Sequence, residues 1–257
     1  PSRQVPQAGV ELIGGAAPAA DAEVAVVAIE ALAMIGVTHV SLDVTMPTMV
    51  PALMDAAGID AALRSSLAHA LDRKDSAAVA ALVQGQPGAL AALPGLMAAT
   101  GPAEGALAAL DAAALPPAAR AIALNAAEVL AAIQARAPGL RITLDPVEFR
   151  GFRYHTGVAF TLYGPGMSGE LARGGRYVSQ NDEPATGMTL YPDAVLRAAP
   201  ATTPMPRLFL PVGADGTTFR AQGFATVAAL AAEDTPQRLR CTHELKDGRP
   251  VPILTKD

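Results

Sequence analysis

The chain of 257 residues is long enough for one large domain, or for a main domain with a small companion. Its formal net charge is −5 and it has no clustered Lys/Arg run. A DNA or tRNA partner ordinarily requires such a basic footprint, so the composition argues against nucleic acid.

The single cysteine, Cys241, excludes an intramolecular disulfide and a cysteine-based zinc site. No uninterrupted apolar run reaches about 18 residues and no signal segment is visible, which leads to the expectation of a cytosolic protein away from membranes. Apolar residues make up 51% of the chain, much of it alanine, which favours helix yet buries little area per residue. Trp is absent and aromatics are only 4%, so each Phe and Tyr carries more information than usual.

Val5 to Ile13 alternates like a strand. The chain starts at Pro1 rather than Met, abruptly in an extended pattern, and an upstream segment is expected to be missing. Asp21 opens a helix that carries Val24, Val27, Ala31 and Met34 at helical spacing and stops at Gly36. VTHVSLDV (37–44) reads as a strand, and 46–58 as a short helix ending at Gly58. From 59 to 137 the pattern is almost wholly helical, broken by Pro-Gly and Gly-Pro steps. Strands return in LRITLDPVEF, YHTGVAFTLY and ATGMTLY, and DAVLRAA is a closing helix.

RAAPATTPMP (197–206) is a Pro/Thr linker. Beyond it, RLFLPVG, a short helix around Phe219, FATVAAL, a helix from Thr235 and a terminal strand pair make a small α/β unit. Hairpin-like strands with helices to one side define an α+β fold.

Three stretches hold residues suited to chemistry. On a strand, Gln7, Gly9 and Glu11 share one face, so an amide and a carboxylate flank a slot suited to an ammonium group, or are two solvent-facing polar residues. RGFRYHTGVAF offers Arg150 for a carboxylate, Tyr154 and His155 as aromatic walls, and Gly151 and Gly157 for close approach; the same residues also suit a core Tyr154 and a wet-face His155. RGGRY (173–177) is either an anion site or a hairpin turn. No P-loop, dinucleotide-binding glycine pattern, nucleophile elbow or His/carboxylate metal spacing is present.

Taken in order, these stretches resemble the histidyl-tRNA synthetase family of class II synthetases. PSRQVPQAGVELIG (1–14) followed by DAEV is similar to the end of that family's second motif, RGFRYHTGVAF to its histidine-binding signature Arg-Gly-Leu-Asp-Tyr-Tyr-Thr-Gly, and ATGMTLYPDAVL (185–196) to the place of its third motif. The resemblance implies an antiparallel sheet flanked by helices: a class II synthetase-like core over 1–198 lacking its N-terminal part, with 59–137 as a helical insertion, and a small C-terminal α/β domain over 205–257 that has lost RNA binding.

The departures are chemical. Where the third motif has Gly-Leu-Glu-Arg, whose arginine holds ATP phosphates, this chain has Tyr191, Pro192, Asp193 and Ala194. A methyl group does not stabilise a pyrophosphate leaving group. The signature's Asp is Arg153 here and its second Tyr is His155.

A broken adenylation site beside Gln7, Glu11 and Arg150 resembles the paralogous family of regulatory subunits of short-form ATP phosphoribosyltransferase. That resemblance implies a non-catalytic protein of histidine biosynthesis, without cofactor or metal, that dimerises and joins the short catalytic subunit in a hetero-octamer. It also implies a vestigial histidine pocket formed by Gln7, Glu11, Arg150, Tyr154 and His155. The alternatives are a divergent histidyl-tRNA synthetase and a stand-alone histidine-binding paralogue.

Overall fold

The computed structural model describes residues 5–86, 88–148, 154–166, 169–201 and 203–253. Arg150 and Arg153 therefore lie outside the described residues. The chain divides into two compact units at Pro200/Ala201.

The first unit is built on a seven-stranded sheet. Its strands are β1 (Ala8–Ile13), β2 (Ser41–Thr45), the two-residue β3 (Gly101–Pro102), β4 (Arg141–Asp145), β5 (Ala159–Tyr163), β6 (Glu170–Val178) and β7 (Pro184–Leu190), in the spatial order β1-β7-β6-β5-β2-β4-β3. All pairings are antiparallel except β2 with β4. A parallel pair needs a crossover connection. The helical stretch supplies it: α2 (Met49–Ala57), α3 (Ala61–Asp72), α4 (Ser76–Val83), α5 (Leu93–Ala98), α6 (Ala103–Ala112) and α7 (Pro117–Arg136) lie between β2 and β4. Leu67, Leu71, Leu93 and Leu110 from these helices join the same core as the strands.

Local chemistry explains the helix ends. The first helix, α1 (Pro18–Met34), has proline in its first turn, where no amide donor is needed. Asp60 and Asp75 cap α3 and α4 by accepting the amides of Leu63 and Ala78 at 2.8 and 2.9 Å. Gly58 closes α2 with φ of 62°, as a left-handed C-cap requires. α1 starts before the expected Asp21, and that residue is fully buried rather than sitting at an exposed helix start. Arg176 draws it inward.

Strand alternation separates the two faces of the sheet. Leu42, Val44, Phe160, Leu162 and Ala172 point into the core, where they meet α1 and α7. α1 and α7 pack on each other, and Ala25 and Ala28 of the one and Ala119 and Ala126 of the other are all buried in the shared core. Among the described residues, α7 is the one helix long and apolar enough to cross a membrane, with 20 residues and mean hydropathy 1.2. Its Val129, Leu130 and Ile133 are buried in the core.

The second unit holds β8 (Arg207–Leu210), α9 (Thr217–Ala221), β9 (Ala225–Ala228), β10 (His243–Lys246) and β11 (Arg249–Pro252) in a sheet ordered β11-β10-β8-β9. The helix expected from Thr235 does not form; turns occupy Pro236–Arg240. The Arg207 guanidinium donates to the carbonyls of Leu239 and Arg240, each at 3.0 Å, so these carbonyls serve β8 instead.

Candidate functional site

The face of the first sheet opposite its core carries a cleft of about 510 Å³. Its floor is a row of small residues in register: Glu11 on β1 pairs with Gly187 on β7, then Gly175 on β6, Ala159 on β5 and Thr45 on β2. The absence of bulk at Gly187 and Gly175 lets the side chains of Glu11 and His155 lie close against the sheet. Glu11 stands at the end of this row as a carboxylate wall.

The paired glycines of RGGRY lie inside β6, not in a hairpin turn. Packing demands them. A Cβ on Gly174 would lie 2.5 Å from the Gly187 carbonyl oxygen and 2.6 Å from the Phe160 ring; one on Gly175 would lie 2.8 Å from His155 Nδ1.

All four tyrosines of the chain, Tyr154, Tyr163, Tyr177 and Tyr191, line the cleft. Tyr154 stacks on Tyr177 with ring centroids 5.3 Å apart and an interplanar angle of 14°. The Tyr177 hydroxyl donates to the Glu11 carboxylate; burial first, and then this bond and the negative charge, hold its pKa above the ordinary phenol value. His155 sits edge-on to Tyr154 at 5.1 Å, and its Nδ1 donates to the Arg176 carbonyl at 3.2 Å. That bond leaves Nε2 as the acceptor nitrogen. Burial pushes the His155 pKa down, outweighing the Arg176 carbonyl contact, and Arg173 adds to the depression.

Arg173 is the single cation among the described lining residues, and it pairs with Glu170. Asp43 of β2 accepts the Thr143 hydroxyl at 2.5 Å on the far side of the cleft from Glu11. At about 4.8 Å per strand, four strand intervals separate the two carboxylates.

Of the sequence-predicted residues, Glu11, Tyr154 and His155 meet in this cleft. Gln7 precedes β1, is exposed and is not a lining residue. Arg150 is outside the described residues. The cleft also takes Tyr177, Tyr163, Asp43 and Gly187, to which the motifs assign no ligand-binding role. The scarcity of aromatics was the signal for the tyrosines, whereas Asp43 carries none in sequence. Tyr191 occupies the place the resemblance gives to a motif-three glycine, and its ring is part of the cleft wall; Ala194, in helix α8 (Pro192–Ala198), is buried.

A mostly antiparallel sheet with helices on its core face and an open cleft walled by a carboxylate and aromatic rings on the other is the arrangement of a class II synthetase-like protein. Residues 1–195 match the histidyl-tRNA synthetase family. The ATP phosphoribosyltransferase regulatory subunit of Gluconobacter oxydans is 43% identical, over 98% of this chain and 67% of that protein. Its counterpart from Rhodospirillum centenum is 49% identical, over 90% of this chain and 60% of that protein. The crystal structure of an ATP phosphoribosyltransferase regulatory subunit/histidyl-tRNA synthetase from Bacillus halodurans shares the fold, with a TM-score of 0.70 at 21% identity over 90% of this chain and 65% of that one. The chain thus spans about two thirds of the length of the relatives it matches. It belongs to the histidyl-tRNA synthetase family, among the ATP phosphoribosyltransferase regulatory subunits.

Proposed function

We propose that this chain acts as a non-catalytic regulatory subunit of ATP phosphoribosyltransferase in the first step of histidine biosynthesis. It pairs in the cytoplasm with the catalytic subunit and conveys feedback by histidine bound in the cleft. One observation carries the reading: the cleft keeps an acidic and aromatic cradle, Glu11 with Tyr177, Tyr154 and His155, while the motif-three cation is replaced by a buried alanine, Ala194. The names of the relatives that match most of the chain support the partner.

In this cradle the Glu11 carboxylate accepts from a ligand ammonium or imidazole N–H. The stacked tyrosines give a flat apolar surface for a ring. Neutral His155 offers Nε2 as an acceptor without adding positive charge. Arg150 is assigned to the ligand carboxylate by resemblance alone. Histidine binding to the full-length protein is expected by calorimetry, and Glu11→Ala should weaken it by about ten-fold or more, the cost of losing a bond to a charged group. The same substitution should weaken histidine inhibition of the complex with the catalytic subunit. Unchanged affinity and inhibition would rule out this pocket, and histidine-dependent pyrophosphate exchange would make the protein a synthetase.

A further inference from the structure

The RGGRY segment puts a cation on the cleft floor. Arg173 stands two residues before Gly175 on β6 and so shares its face of the strand. In register it pairs with Thr189 of β7 on one side and Thr161 of β5 on the other. Directly opposed residues of antiparallel strands carry their side chains on one face, about 4.5–5.5 Å apart at Cβ. Both threonines line the cleft with Arg173, and neither hydroxyl has a hydrogen-bond partner among the described residues. The result is a row of three donor-bearing side chains.

Little of the Arg173 guanidinium is engaged within the protein. Nη2 donates to Glu170, and both side chains of that pair are partly exposed. Such a surface pair is weak enough for another carboxylate to share the cation. The Nε and Nη1 donors have no partner among the described residues. The guanidinium interacts electrostatically with His155, Tyr163 and Tyr191, three cleft-lining residues from separate stretches of the chain. The other charged lining residues described, Glu11, Asp43 and Glu148, are acidic. They attract the ammonium of an amino acid and repel its carboxylate. A carboxylate that lost its hydration among them would gain nothing in return.

We propose that Arg173, flanked by Thr161 and Thr189, is the carboxylate site of this cleft, with Glu11 holding the ammonium or imidazole end of the same ligand. The inference rests on the histidine reading above and names the residue that separates an amino acid from the amine of the same shape. A guanidinium suits a carboxylate through two parallel hydrogen bonds. At about 4.8 Å per strand and about 3.4 Å per residue, Glu11 and Arg173 lie roughly 12 Å apart at Cα. Their two side chains and one amino acid fill that span. Arg150 is the resemblance's choice for the same group, and the two arginines give different results in the test.

Histidine and histamine, which lacks the carboxylate, are titrated into full-length protein by calorimetry at about pH 8, where both imidazoles are neutral. The parent is expected to bind histidine about ten-fold or more tighter than histamine. Arg173→Gln should erase that preference by weakening histidine alone, Arg173→Lys should keep part of it, and Thr161→Val should reduce it. Thermal unfolding of each variant should match the parent, since Arg173 is partly exposed. A preference that survives Arg173→Gln in full overturns the proposal, gives the carboxylate to another residue such as Arg150, and leaves the cleft reading intact. Equal weakening of both ligands overturns it too, because the arginine would then only shape the wall. If neither ligand binds, the histidine reading fails and this inference falls with it.

Discussion

Arg176 and Asp21 are 155 residues apart in sequence and meet in a buried ion pair, with Nε 2.9 Å and 3.0 Å from the two carboxylate oxygens. Thr186 donates to the same carboxylate at 2.5 Å. Two strands of the sheet are thereby fastened to the first turn of α1. The Arg176 backbone meanwhile holds Thr156 and His155, so one residue joins the core layer to the wall of the cleft.

Asp21→Ala leaves a guanidinium buried beside two carbonyl groups without its counter-charge. Breaking a buried pair in this way costs about 3–5 kcal/mol. Denaturant unfolding should show that loss, and a drop below about 1 kcal/mol would mean that water reaches the pair. An Asp21→Leu/Arg176→Met double variant should recover only part of the stability, because the Gly15 and Ala17 carbonyls would then lose their donor.

Two cleft glycines should answer differently to alanine. At Gly174 the new Cβ meets backbone, the Gly187 carbonyl oxygen at 2.5 Å, and the sheet has to open. A loss of about 3 kcal/mol or more is expected, at the upper end of overpacking costs. At Gly187 the Cβ meets the Glu11 side chain, with Cγ at 3.1 Å, and that chain turns aside. Gly187→Ala should stay within about 1 kcal/mol of the parent yet bind histidine roughly ten-fold more weakly. Thermal unfolding and calorimetry on the two variants separate a folding glycine from a binding one.

Tyr177 provides the pH test. Its folded pKa lies above the unfolded phenol value of about 10, chiefly through burial and then through Glu11. Its contribution to stability is complete below about pH 10 and fades as pH rises through the folded value, because the unfolded state ionises first. The ultraviolet phenolate signal, taken as the difference from Tyr177→Phe, should titrate late. Glu11→Gln should bring the midpoint down without returning it to the ordinary value, since burial is the larger cause. A midpoint that Glu11→Gln leaves unmoved would disconnect the two residues.

Much of the framework is legible in sequence because it is written in short-range chemistry. Alternation in SLDVT and AFTLY reports a sheet with one apolar face, and Gly58 marks the end of α2 through its left-handed backbone. The order of the motifs carries the class II fold, and the same motifs point to Glu11, Tyr154 and His155, which line the cleft. Gln7 was read as sharing the strand face of Glu11, but the strand begins at Ala8.

Tertiary structure decided what depends on neighbours distant along the chain. RGGRY reads as an anion site or a hairpin turn, yet it lies inside strand β6, where Phe160 and Gly187 leave Gly174 no room for a side chain. Asp21 looks like a helix-start acid until Arg176 arrives from β6. The four tyrosines come from β5, β6, the segment before β5 and the start of α8, and no spacing rule brings them together. Periodicity acts over a few residues and is fixed by backbone geometry; the cleft arises from strand register across the sheet, which sequence specifies only through the packing of the whole core.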